Sequence, residues 1–245
     1  MARGKDGNAH WLGERALPGA IILIGGASLS DFRMRVAQSH LRHDLLPSFW
    51  SMAGLADSKR SFLTVPLSAG GDSSDIPSSN GIRRVPFQQV DDQGRFPNVA
   101  VINFTEPSAG IVSNIRKLTT RRHALDLPSM MLPWLAFLWG AGSKANPLND
   151  GQGTPGAALV ETAFGMAGIE LTPGLTSTAS CPEAIWQSAL WWHDYYAKTA
   201  DQGGTRVATE LGVKGSSAKV KAIVPQGQYR LGQVAAAVTW EKSQN

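Results

Sequence analysis

The chain has 245 residues and a formal net charge of +4, from 23 Lys and Arg against 19 Asp and Glu. Hydrophobic residues make up 42% and charged residues 17%, which excludes a disordered chain and allows a sizeable packed core. The mild positive excess permits an acidic partner and does not demand nucleic acid.

In chain order, residues 1–15 are polar and Gly-rich and are expected to fray. Ala20 to Ile24 (AIILI) reads as a short buried strand ending at Gly25-Gly26. The run Ala16 to Ile24 contains Pro18 and Gly19 and no small-residue cleavage pattern follows it, so it does not read as a signal peptide. Ser28 and Asp31 have capping-box spacing. The helix they open repeats Leu29, Phe32, Val36, Ala37, Leu41 and Leu45 at helical intervals, which predicts an apolar inner face. Arg33, Arg35, Arg42 and His43 then fall largely outside.

Phe49 to Leu55 and Ser61 to Leu67 read as strands joined by a polar turn, followed by a long Gly/Ser/Asp/Pro loop over 68–81. Val99 to Phe104 is a further strand. Ser113 is a candidate cap for a helix carrying Arg116, Lys117, Arg121 and Arg122 outward. The segment from Met130 to Gly140 is apolar on every side and is expected to be the central core helix. With Pro133 inside it and about half a bilayer in length, it is not a membrane span.

Thr154 caps and Pro155 opens the next helix, with Gly168 at its C-terminus. Pro182 starts a Trp-rich helix. Val220 to Val224 and Val234 to Trp240 are weak strands that could form a terminal hairpin. The expected architecture is α+β: a small central sheet packed by four or five helices. Its parts are a flexible N-terminus over 1–15, one domain over 16–199, and a C-terminal extension over 200–245, a hairpin or arm.

Three motifs carry a family resemblance. GAIILIGG (residues 19–26), SFWSMAGLAD (48–57) and GAALVETAFGMAGIELTPG (156–174) stand in an order that resembles circularly permuted papain-like (NlpC/P60-type) cysteine hydrolases. In that family a histidine strand comes early and a CSxLV helix start comes late. The resemblance implies a thiolate at a helix N-terminus and a histidine base on a neighbouring strand. It also implies that Met52 stands where the histidine would be, and Gly156 where the cysteine would be. A thioether accepts no proton at neutral pH and glycine offers no nucleophile. A catalytically inactive papain-like domain, acting as a protein-interaction or scaffold component, is the leading expectation.

The lone cysteine, Cys181, excludes an intrachain disulfide and fits a reducing, cytoplasmic setting. It precedes Pro182, where a helix N-terminus would favour a thiolate, so an amidase or peptidase using Cys181 is the alternative. His193 cannot serve it, lying twelve residues along the same helix, about 18 Å away. A structural cysteine is the simpler reading.

The group Arg121, Arg122 and His123 is the first choice for an anionic partner. A nucleic-acid module using the basic helix faces is possible and less favoured, because the aromatics do not interleave with the charges. Trp191, Trp192 and Tyr195 are expected to touch a partner protein. No CxxC or HExxH pattern supports a metal, and no cofactor is implied.

Overall fold

The computed structural model describes residues 7–67, 80–104, 109–120, 125–140, 144–201 and 231–238. These form one six-stranded antiparallel sheet and six α-helices, an α+β architecture. The strands are β1 (Ile21–Gly25), β2 (Met52–Ala56), β3 (Ser61–Thr64), β4 (Arg83–Pro86), β5 (Asn98–Phe104) and β6 (Leu231–Ala237), in the spatial order β4-β3-β2-β1-β5-β6. The helices are α1 (Asn8–Arg15), α2 (Leu29–Ala37), α3 (Ala109–Thr120), α4 (Leu127–Trp139), α5 (Pro155–Gly165) and α6 (Pro182–Asp201).

The β-branched run of β1 fits a central strand covered on both faces, and all five of its residues are buried. Alternation sorts the strand side chains into two cores. Ile21, Leu23, Ala53, Leu55, Leu63, Ala100 and Ile102 pack under α3, α4, α5 and α6. Ile22, Ile24, Ala56, Phe62, Val99 and Val101 face the other way, against Trp11 and Leu12 of α1 and Phe87 and Val90 of a short 3₁₀ turn.

Several expectations change here. Residues 8–15 are a helix rather than a frayed tail. Buried Asn8 holds it down, donating through its side-chain amide to the carbonyls of Val90 (2.7 Å) and Phe96 (2.9 Å). Within the C-terminal extension, β6 joins the main sheet beside β5, with Val99 opposite Ala237. The weak strand at Val220 to Val224 lies outside the described residues. Helix α3 begins before Ser113, which sits inside it. The central core helix is α4, yet Leu132 and Trp139 on it are exposed. Strand β4 was not expected at all.

The largest reversal is α2. Leu29 is 65% exposed, and Phe32, Val36 and Leu45 are exposed as well. Arg35, by contrast, is only 2% exposed and sits inward with Met34, Ala37 and Gln38. The polar side chains on the inner stripe have long-range partners. Arg35 Nε donates to the Ser48 carbonyl, and Gln38 Nε2 donates to the Trp50 carbonyl at 2.9 Å. Gln38 Oε1 accepts from the backbone N–H of Glu183 at 2.9 Å. These bonds tie the inner stripe of α2 to the segment before β2 and to the start of α6, while the apolar stripe is left outside. Burial lowers the pKa of the Arg35 guanidinium, and the charge of Asp31 opposes that shift.

Candidate functional site

A cleft of about 700 Å³ opens at the end of the sheet where β2 and β4 begin and β1 ends. Both Met52 and Gly156 line it. They reach it by different routes. Thr154 caps α5, its hydroxyl accepting from the Ala157 N–H at 3.4 Å, and Pro155 sets the first helical φ. This delivers Gly156 onto β2 so closely that a Cβ there would lie 2.6 Å from the Ala53 carbonyl oxygen. Glycine is what permits that approach. Met52 is half-buried and its side chain packs with the core on the opposite face from α5. The two positions therefore share the cleft while belonging to different faces of the sheet.

The polar centre of the cleft is Asp31. Its carboxylate accepts from the hydroxyls of Ser28 and Ser51, the latter at 2.7 Å, and its N–H is capped by Ser28 Oγ at 3.1 Å. Ser51 Oγ in turn accepts from the Gly26 N–H at 3.1 Å. Arg83, Arg84 and Arg95 also contribute to the lining. Arg84 is ion-paired with Asp57, and the Arg95 guanidinium lies 5.2 Å from the centroid of the Phe96 ring. Among the described residues, the lining holds no histidine and no cysteine. His10 pairs with Glu14 on the surface at 3.2 Å, and His193 stands beside Asp194 at 3.7 Å, half exposed.

Cys181 is elsewhere and closed off. Its carbonyl accepts from the Ile185 N–H at 3.1 Å, which makes it the capping residue of α6. Its thiol is 1% exposed, and burial pushes its pKa up to about 12 despite help from the N–H groups of Glu183 and Ala184. A thiol that stays protonated and meets no solvent does not suit the nucleophile that the sequence allowed. Next to it, Glu183 is fully buried, accepting from Ser48 Oγ and from Gln187 Nε2, both at 2.6 Å. Glu161 on α5 accepts from Thr172 Oγ1 (2.6 Å) and Ser180 Oγ (2.8 Å). Desolvation holds the Glu161 carboxyl above its ordinary range, with those hydrogen bonds opposing it.

Of the other anticipated residues, Arg121, Arg122 and His123 lie outside the described residues. Trp191 is 57% exposed, and its ring stacks on exposed Tyr195 with centroids 5.4 Å apart; Trp192 is half-buried against both. Sequence reasoning missed Asp31 with Ser51, and Arg83, Arg84 and Arg95. The Arg83-Arg84 doublet just after Gly81 was the one available signal for the arginines. Among the described residues, no group of three or more His, Cys, Asp or Glu side chains is placed to hold a metal ion. No described helix is long and apolar enough to cross a membrane.

No family model matches this chain, and no curated protein or solved structure matches it significantly.

Proposed function

We propose that the chain is a papain-like domain of permuted order that has no thiol chemistry and works as a protein-interaction or scaffold component. One observation carries this reading: Met52 and Gly156, the positions aligned with the family's histidine and cysteine, line a common cleft although Met52 packs on the face of the sheet away from α5, and among the described residues that lining supplies neither an imidazole nor a thiol. Acyl transfer by this route needs a nucleophile and a base within hydrogen-bond reach of each other. The buried, protonated Cys181 does not replace them.

The partner is a protein met through exposed aromatic surface, with Trp191 and Tyr195 as its centre. A cytoplasmic setting belongs to the same proposal and rests on the single cysteine. The test is to incubate the purified chain, and its Cys181→Ala variant, with thiol-directed activity probes and with amide and ester substrates. No labelling and no turnover is the expected result. Robust turnover that survives Cys181→Ala would overturn the non-catalytic reading.

A further inference from the structure

We infer that the outward face of α2 and the loop after it, Leu29 to Leu46, is an interface at which two copies of this chain meet. The inference uses other residues than Trp191 and Tyr195 and does not depend on the proposed interaction role.

The inversion of α2 is the first ground. Among the described residues, six of the 13 exposed large apolar side chains fall between 29 and 46: Leu29, Phe32, Val36, Leu41, Leu45 and Leu46. The first three recur at helical spacing, so they form one stripe. Bonds on the other side keep the helix from rolling to bury it. Arg35 and Gln38 are held inward, Arg33 Nη1 donates to the Leu138 carbonyl at 2.5 Å, and Asn146 Nδ2 donates to the Ala37 carbonyl at 2.8 Å. The chain then turns and comes back to α2, where the Ser48 N–H donates to the Arg35 carbonyl at 3.0 Å. That excursion carries the other three leucines at the C-terminal end of the stripe. Leu45 is 70% exposed at a φ of 56°, a left-handed backbone that leucine seldom adopts. Arg42 and Asp44 fix the turn: Arg42 Nε donates to Asp44 Oδ1 at 2.9 Å, and the same oxygen accepts from the Leu46 N–H at 3.0 Å.

Charge and area identify the occupant. Five Asp and Arg side chains lie between Ser28 and Pro47, and each has a partner within the chain: Asp31 on Ser28 and Ser51, Arg33 on Leu138, Arg35 on Ser48, and Arg42 on Asp44. A two-fold axis brings a surface against its own copy, so an uncompensated charge there risks meeting its like. These five are compensated before the copies meet. An anionic membrane surface would instead draw on cations held open beside the apolar side chains. The six apolar residues leave about 500 Å² open, near the top of the range for the largest apolar patch on a monomer. One side of a standard interface covers about 800 Å², about 65% of it apolar in homodimers, which again is about 500 Å².

The experiment is sedimentation velocity on the full chain over about 1 to 100 μM. It is run at pH 8, above the ordinary histidine range, because His40 and His43 are exposed in the same stretch. A reversible dimer of twice 26.1 kDa is expected within that range, with an affinity that does not fall as salt is added. Phe32→Glu and Leu45→Glu should each weaken it at least tenfold. Leu17→Glu, at a leucine 52% exposed that precedes β1 where α2 follows it, should leave it unchanged. Circular dichroism confirms folding, and Leu45→Glu, in the loop, carries the test if the helix variant does not fold. A chain still monomeric at the highest concentration, or a dimer indifferent to Phe32→Glu or to Leu45→Glu, overturns the inference. A monomer that pelleted with phosphatidylserine vesicles, and lost them on Phe32→Glu, would overturn it too and give the face to a lipid surface. Hydrolytic turnover would break the non-catalytic reading and leave this one standing; a monomer would do the reverse.

Discussion

Thr154-Pro155-Gly156 and Cys181-Pro182-Glu183 open two helices with the same device, a capping residue followed by a proline. The two starts are neighbours, for the Thr154 N–H donates to the Ser180 carbonyl at 2.9 Å. One reaches the cleft and carries no sulfur. The other carries the chain's one thiol, which is buried beside a network of Ser48, Gln38, Gln187 and Glu183. Thiol catalysis needs the anion-favouring helix end, the sulfur and an open face together. The molecule divides them between two helices.

Glu183 gives the strongest way to break this comparison. It is fully buried with three hydrogen bonds through its carboxylate and N–H. Glu183→Ala strands the Ser48 hydroxyl and the Gln187 amide, and should cost about 3 kcal/mol. Denaturant unfolding measures it. A loss under about 1 kcal/mol would mean that the network does not seal the α6 start.

Gly156→Ala is the counterpart at α5. In an open helix the change would stabilise by up to about 1 kcal/mol. Here the new Cβ meets the Ala53 carbonyl oxygen at 2.6 Å, and backbone cannot swing aside as a side chain would. Overpacking of this kind costs about 1 to 3 kcal/mol, so net destabilisation is expected in thermal melts. Stabilisation would contradict the seating of α5 on β2. By the same clash, Met52→His with Gly156→Cys should not yield a hydrolase when assayed with ester substrates.

Much of this arrangement was legible in the chain. The AIILI run gave β1, and the Thr154-Pro155 and Cys181-Pro182 pairs gave both helix starts, because capping chemistry is local. The inner face of α2 was not legible. Its periodicity offers two stripes, and the winning one contains Arg35 and Gln38, whose partners Ser48, Trp50 and Glu183 lie far along the chain or in another helix. Strand β4, Arg83–Pro86, resembles a basic turn in isolation, and only its pairing with Ser61–Thr64 makes it a strand. For the same reason its arginines did not read as a site.

A smaller effect sharpens the picture on α5. Glu161 is buried with its carboxyl held above the ordinary range. Its contribution to stability is complete below the unfolded carboxyl range and is lost as pH rises through the raised value. Glu161→Gln keeps an acceptor for Thr172 and Ser180 and removes that loss. The variant should melt slightly higher than the parent at neutral pH, with the difference vanishing in acid. An equal or lower melting temperature at neutral pH would mean that the ionised carboxylate is the favoured form.

The separation of the thiol from the cleft is tested most directly by the alkylation rate of Cys181 with iodoacetamide, in native and unfolded protein, across pH 6 to 10. A thiol with its pKa pushed up to about 12 should react in the native protein at least a hundredfold more slowly than in denaturant. Its rate should climb without a plateau over that range. A native rate matching the unfolded one, levelling off below pH 8, would contradict the account and place a reactive thiolate at the α6 start.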